Sequence, residues 1–356
     1  MATEGLVNES PFAAQELFLA DEDGRDLLTV VVKATYAIRP DEPLELEEEQ
    51  VPVDLTGTYY GDPAESSARF EPEVAFTKPG TDVVLVGHAY ADRPGARHTD
   101  VALQVGPIRK TVRVFGDRRW ISSMGFEKIS DPAPFERIPL QWERAFGGWD
   151  RTSNDPSDHR VEKRNPVGVG FRDKVLGVRM DGLPVPNLED PRAPIRYPAD
   201  KPTPVGFGFT GPHWEPRARY AGTYDEAWQA SRMPLLPKDF DRRFFNAAPP
   251  DQVTAPYLRG HEPVAVANAS PVAWLSFRLP GEPPPHVTVV QRGEPDQPLE
   301  PNLDTVIVDT DAMRVLLLWR AHVLIPRGPH AVEAIRVEPH EASTLAAPSQ
   351  TAVAVA

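Results

Sequence analysis

Apolar and polar residues alternate with a period of two along several stretches of the chain, most clearly over residues 28–38. The apolar positions of that stretch are Leu28, Val30, Val32, Ala34, Tyr36 and Ile38, and the positions between them include Thr29, Lys33 and Thr35. Successive side chains of a strand point to opposite faces of its sheet, so this alternation predicts a half-buried β-strand that ends before Pro40.

Similar patterns occur near both ends of the chain. Short apolar or alternating runs separated by Gly/Pro-containing turns occupy residues 83–91, 101–105, 111–115, 264–267, 272–279, 287–291, 305–310 and 314–324. Such runs are typical of sandwiches and barrels. We therefore expect a mainly β fold with two β-rich units, residues 1–130 and 257–340. The tail, residues 341–356, consists mostly of small residues and is predicted to be disordered.

The segment between these units, residues 131–256, has almost no regular period. It holds 18 of the chain's 41 prolines between residues 131 and 250, and one helix is predicted, over residues 225–232, after Thr223 and before Pro234. Glycine and proline are costly in regular structure, so their density indicates shaped loops. We expect a partner-binding surface between the two units, built on Gly147, Gly148, Asn165, Pro166, Gly168, Gly170, Tyr224, Trp228 and Phe240. For Gly168 we expect a positive φ, which would exclude valine.

Aromatic residues are concentrated in the second half of this segment. They are Phe207, Phe209, Trp214, Tyr220, Tyr224, Trp228, Phe240, Phe244 and Phe245. One interpretation is a small additional core beneath long loops. The other is a groove for an extended peptide, because aromatic-lined grooves recognise peptides.

Composition narrows the functional classes. The chain has 356 residues, a net charge of −14, 40% hydrophobic residues and no cysteine. This charge argues against nucleic acid and anionic membrane surfaces as partners. The acidic run at residues 41–49 is either a solvated loop or a site for a basic partner. The N-terminal residues lack a signal-peptide pattern and no apolar run is long enough to span a membrane, so a cytoplasmic protein is expected.

Few residues of the sequence are candidates for catalysis or for binding a metal or cofactor. The nine histidines are dispersed, and phosphate-loop and nucleophile-elbow motifs are absent from the sequence, so no metal and no cofactor are expected. Carboxylates near aromatic residues would suit a carbohydrate-active hydrolase; the candidates are Asp225, Glu226, Asp239 and Asp241. Alternatively, Asp225 caps a helix, and Arg242 and Arg243 neutralise the other two aspartates.

Several runs resemble one bacterial family, called domain of unknown function twenty-one sixty-nine. In chain order they are VVVKATYAI, FTKPGTDVVLVGHAYA, GDRRW, AFGG, NPVGVGF, GTYDEAW, DFDRRFFNAAP, YLRGHEPV and LLLWRA. The similarity extends from about residue 8 to about residue 340. It implies a bacterial adaptor or chaperone that holds a type VI secretion effector and helps to load it onto the VgrG spike. It implies no catalytic residues. A structural component of the secretion apparatus is a further alternative.

Overall fold

The computed structural model describes residues 5–123, 126–175 and 179–340. The predicted disordered tail, residues 341–356, lies outside these ranges. In the first part of the chain the strands are β1 (Gly5–Asn8), β2 (Ala13–Ala20), β3 (Asp26–Ala37), β4 (Glu45–Leu46), β5 (Thr58–Tyr59), β6 (Ala68–Phe70), β7 (Thr81–Val86), β8 (His88–Tyr90), β9 (His98–Val105), β10 (Ile108–Phe115), β11 (Arg118–Ser123) and β12 (Phe126–Ile129).

The central segment contains only short elements. Its strands are β13 (Arg137–Pro139), β14 (Phe146–Gly147), β15 (Trp149–Asp150), β16 (Arg160–Val161), β17 (Val169–Gly170), β18 (Pro184–Val185), β19 (Leu188–Glu189) and β20 (Val253–Thr254). Its helices are α1 (Glu215–Ala218) and α2 (Glu226–Ser231), with 3-10 turns at Trp142–Arg144, Pro156–Asp158, Arg242–Phe245 and Pro250–Gln252.

The C-terminal part is again regular. Its strands are β21 (Pro263–Ala267), β22 (Trp274–Arg278), β23 (His286–Gln291), β24 (Gln297–Leu299), β25 (Asn302–Asp309), β26 (Arg314–Leu324) and β27 (Val332–Glu338), with a 3-10 turn at Pro329–Ala331. Strands dominate and the helices are short, so the mainly β prediction is confirmed.

The largest sheet joins strands from both ends of the chain. Its order is β2-β3-β26-β25-β7-β20, with β4 added beside β3. β26 pairs antiparallel with β3, and β25 pairs parallel with β7. A second sheet, in the order β19-β10-β9-β21-β22, likewise mixes distant segments. The idea of two separate β units is therefore wrong: strands from residues 1–130 and 257–340 pair within the same sheets.

A third sheet, in the order β1-β27-β23-β24, completes the main core. One face of the largest sheet packs with side chains of the other two sheets, for example Val30 and Leu317 with Leu103 and Val289. The opposite face, including Val31, is covered by residues of the central segment and its surroundings; these include Phe209, Ala247 and Ala248.

This second layer changes the interpretation of β3. Thr29, Lys33 and Thr35, predicted to face solvent, are all buried. Buried charges are expensive unless paired, and the Lys33 ammonium lies 2.7 Å from the Glu73 carboxylate. β3 is therefore buried on both faces, because residues 51–76, which include Glu73 and the partners of Thr29 and Thr35, cover the polar side that the alternation assigned to water.

Candidate functional site

The site is built where two loops of the central segment approach each other. β14 pairs in parallel with β17, and Gly147, Gly148 and Gly170 have φ values of +151°, +87° and +92°. A Cβ on Gly148 would lie 2.1 Å from the Gly168 carbonyl oxygen, and one on Gly147 would lie 2.1 Å from that of Asn165. Glycine is therefore required here for space as well as for backbone conformation.

Gly168 needs glycine for a different reason from the one expected. Its φ lies outside the left-handed region, so the expectation of a positive φ is wrong. A Cβ at Gly168 would instead lie 2.7 Å from the Ala145 carbonyl oxygen and 2.8 Å from the Gly147 Cα. Close backbone approach excludes a side chain at this position.

Asn165 fixes the two loops to each other. It is fully buried, and its side-chain amide donates to the Trp142 carbonyl at 2.9 Å and to the Phe146 carbonyl at 3.0 Å. Its own carbonyl oxygen accepts from the Gly148 amide at 2.9 Å. Pro166, which cannot donate a backbone hydrogen bond, follows in the turn that ends at Gly168.

These loops open onto a cleft of about 1010 Å³. Its lining residues come from three stretches of chain and are Ala64, Glu65, Gly148, Trp149, Arg151, Val161, Lys163, Pro166, Val167, Gly168, His213, Glu215, Ala218 and Arg219. Of the predicted site residues, Gly148, Pro166 and Gly168 line the cleft, while Gly147, Asn165 and Gly170 lie in the structure beside it. Whether the cleft binds a partner stays a prediction.

The lining mixes polar and apolar surface and carries charges of both signs. Arg219 lies 3.9 Å from Glu215, so this pair is partly neutralised. Arg151 lies 5.1 Å from the centre of the Trp149 ring, and Trp149 is 46% exposed. Lys163 is exposed and its carbonyl oxygen accepts from the Glu215 amide. The cleft therefore offers an accessible aromatic surface beside cations.

Tyr224, Trp228 and Phe240 do not line this cleft. The rings of Tyr224 and Trp228 pack edge to face with their centroids 4.7 Å apart. The Trp228 indole N–H donates to the Leu235 carbonyl at 2.8 Å. Phe240 packs against Phe245 at 5.4 Å. The structure therefore does not bring Tyr224, Trp228 and Phe240 into the cleft with Gly148 and Gly168. That they contact a partner stays a prediction.

Some residues of the aromatic cluster are buried, as expected for a small core, and others are exposed, as expected for a peptide groove. Phe207, Phe209 and Trp214 are fully buried, as the core interpretation predicts. Tyr224 is 53% exposed. The α2 loop rests against the turn between β2 and β3, where Arg232 contacts Asp23 at 3.0 Å and Arg242 contacts Glu22 at 2.5 Å.

The candidate hydrolase carboxylates have structural partners. Asp225 accepts from the Trp228 amide at the start of α2, and Asp239 accepts from the Thr223 amide and hydroxyl. Hydrogen bonds from Thr223 lower the pKa of Asp239, and those from Arg243 lower the pKa of Asp241. Both aspartates are thus ionised at neutral pH, whereas a general acid needs a raised pKa.

The described residues contain neither a metal-binding group of side chains nor a membrane-spanning helix. No group of three or more His, Asp or Glu side chains within residues 5–123, 126–175 and 179–340 could hold a metal ion. Across the same ranges, no helix is long and apolar enough to cross a membrane.

The sequence interpretation missed eleven of the fourteen lining residues, among them Trp149, Arg151, Lys163, His213 and Arg219. A signal existed for the first two, since Trp149 directly follows Gly148 and Arg151 comes two residues later. His213 and Arg219 lie some 50 residues from Lys163 along the chain, and only the fold brings them together.

The fold and the cleft define a mainly β protein whose central loops form an open cleft of mixed polar and apolar lining beside a core of strands. The chain belongs to the family described as uncharacterized protein conserved in bacteria (DUF2169), whose model matches residues 23–320. This confirms the family resemblance. No curated protein matches the chain, and no solved structure matches it.

Proposed function

We propose that this protein is a non-catalytic adaptor, or chaperone, of the bacterial cytoplasm. It binds a type VI secretion effector and helps to load it onto the VgrG spike. The effector contact surface is the cleft of the central segment.

The observation that supports the proposal is the close backbone packing of the central loops beside an accessible cleft. Two backbone segments lie in contact at Gly147, Gly148 and Gly168. A side chain at any of these positions would prevent that contact. The result of this contact is an accessible cleft beside Trp149, which is 46% exposed. Accessible aromatic surface with polar surroundings suits protein recognition. The acids that a hydrolase would use are instead engaged in helix capping and hydrogen bonding.

Co-expression tests the adaptor role directly. The protein carries an affinity tag and is expressed with the untagged product of the neighbouring effector gene. We expect the two to co-purify in a fixed ratio and the complex to bind VgrG more strongly than the effector alone. An effector that reaches VgrG equally well without this protein would refute the loading role. A stable homo-oligomer that binds neither protein would instead favour a structural component.

A further inference from the structure

Among the described residues, two cations of the cleft have no anionic partner. Within the described part of the chain, neither Arg151 nor Lys163 has a carboxylate at ion-pair distance, and both side chains are exposed. Arg219 is engaged with Glu215 at 3.9 Å. The lining holds three Arg or Lys residues and two Glu residues, which gives a formal charge of +1. The whole protein carries −14, so the cleft departs from the sign of the rest of the molecule.

The turn that lines the cleft also leaves backbone groups available. In the described residues the Val167 amide donates no hydrogen bond, and the Pro166 and Val167 carbonyls accept none from the protein. All three groups belong to cleft-lining residues. A chain lying in the cleft can therefore exchange main-chain hydrogen bonds with this turn, as peptide ligands commonly do.

We propose that the cleft binds an extended acidic segment of the partner protein. Carboxylates of that segment contact Arg151 and Lys163, an apolar or aromatic side chain packs on Trp149, and main-chain groups contact the turn at Val167. This inference rests on the proposed adaptor function and adds the chemical class of the segment that is recognised.

A peptide explains the cleft better than a nucleic acid does. A phosphate backbone needs a continuous cationic surface, whereas Glu65 and Glu215 also line this cleft. Mixed charges around an exposed indole instead suit a short peptide that combines carboxylates with apolar side chains.

Fluorescence anisotropy with synthetic peptides tests the inference. The probe is a fluorescein-labelled octapeptide of alternating Asp and Phe, and its matched control replaces each Asp with Lys. We expect the acidic peptide to bind at least about tenfold more tightly, with an affinity that falls as salt rises. Equal binding of the two peptides, or no binding of either at millimolar concentration, would overturn the inference. So would a single-stranded oligonucleotide that displaces the acidic peptide.

The variant R151E/K163E reverses both cations at exposed positions. We expect it to keep the wild-type melting temperature and to lose about tenfold or more in affinity for the acidic peptide. The control R109E/R196E makes the same change of charge at exposed positions that do not line the cleft, and we expect its affinity to stay within about twofold of wild type. Equal losses in both variants would mean that net charge, and not the cleft, attracts the peptide.

The effector separates this inference from the adaptor role. If wild type and both variants co-purify equally well with the effector, the adaptor role stands and the cleft assignment fails. If wild type binds the acidic peptide but not the effector, the cleft assignment stands and the adaptor role fails.

Discussion

Asn165→Ala is the sharpest test of how the cleft is held in shape. The substitution removes two buried hydrogen bonds, from the Asn165 amide to the carbonyls of Trp142 and Phe146. The Trp142 carbonyl keeps a second partner, the Ala145 amide at 3.1 Å. The Phe146 carbonyl has no other side-chain partner in the described residues.

The expected cost follows from these partners. Losing the bond to Trp142 costs about 1 kcal/mol, and leaving the Phe146 carbonyl unpaired costs about 2 kcal/mol. Asn165 Oδ1 is itself buried without a partner, so its removal offsets a fraction of this sum. We expect a net loss of about 2–3 kcal/mol. For a chain of 356 residues that corresponds to a fall of about 3–4 °C in melting temperature.

Urea unfolding followed by tryptophan fluorescence measures this loss. Asn165→Asp keeps the side-chain size but cannot donate, so we expect it to destabilise the protein at least as much. Asn154→Ala is the control, because Asn154 is exposed and its side chain makes no hydrogen bond in the described residues. We expect the control to stay within about 0.5 kcal/mol of wild type. If Asn165→Ala did the same, the account of the loop geometry would be refuted.

Three further predictions concern other parts of the molecule. Gly168→Ala should destabilise by several kcal/mol on thermal melting, because Cβ meets backbone there, whereas Gly61→Ala, with its nearest contact at 3.5 Å, should be nearly neutral. Trp228→Ala should cost about 2–3 kcal/mol yet leave acidic-peptide binding intact; loss of that binding would place the ring in the site. The Arg113 side chain lowers the pKa of Asp100 below its ordinary 3.8. The stabilisation by ionised Asp100 is therefore complete above pH 3.8 and is lost as the pH falls through the lowered pKa of the folded state. Asp100→Asn should accordingly reduce the loss of unfolding free energy at acid pH; an unchanged dependence on pH would contradict this.

The sequence is informative about elements whose signal is local. The 28–38 alternation corresponds to β3, Asp26–Ala37, and the apolar run at 314–324 corresponds to β26, Arg314–Leu324. The helix predicted at 225–232 is α2, Glu226–Ser231, with Asp225 as its cap. Each of these follows from period or capping chemistry within a few residues.

Long-range pairing could not be deduced in the same way. Nothing within β3 indicates that β26 lies beside it, so residues 1–130 and 257–340 could not be recognised as sharing one sheet. Lys33 appeared solvent-facing because its partner, Glu73, lies 40 residues away in sequence. A local pattern cannot tell solvent from a covering layer supplied by another segment.

In the candidate site, too, local features could be predicted from the sequence and long-range proximity could not. The glycines 147, 148 and 168 could be identified because their cost in regular structure is visible in the sequence. The sequence could not show that Tyr224 and Trp228 lie outside the cleft, because an aromatic residue looks the same in sequence whether it anchors a loop or lines a cleft. The cations Arg151 and Lys163 gave no distinctive signal before the fold brought them to one cleft.

The central claim is that this protein binds an effector, and isothermal titration calorimetry of the two purified proteins tests it most directly. We expect saturable binding of one protein to one effector, with a Kd of about 1 μM or tighter, as for a specific protein complex. We also expect R151E/K163E to weaken this binding more than R109E/R196E does. An effector that gives no saturable heat with the folded wild-type protein would contradict the account.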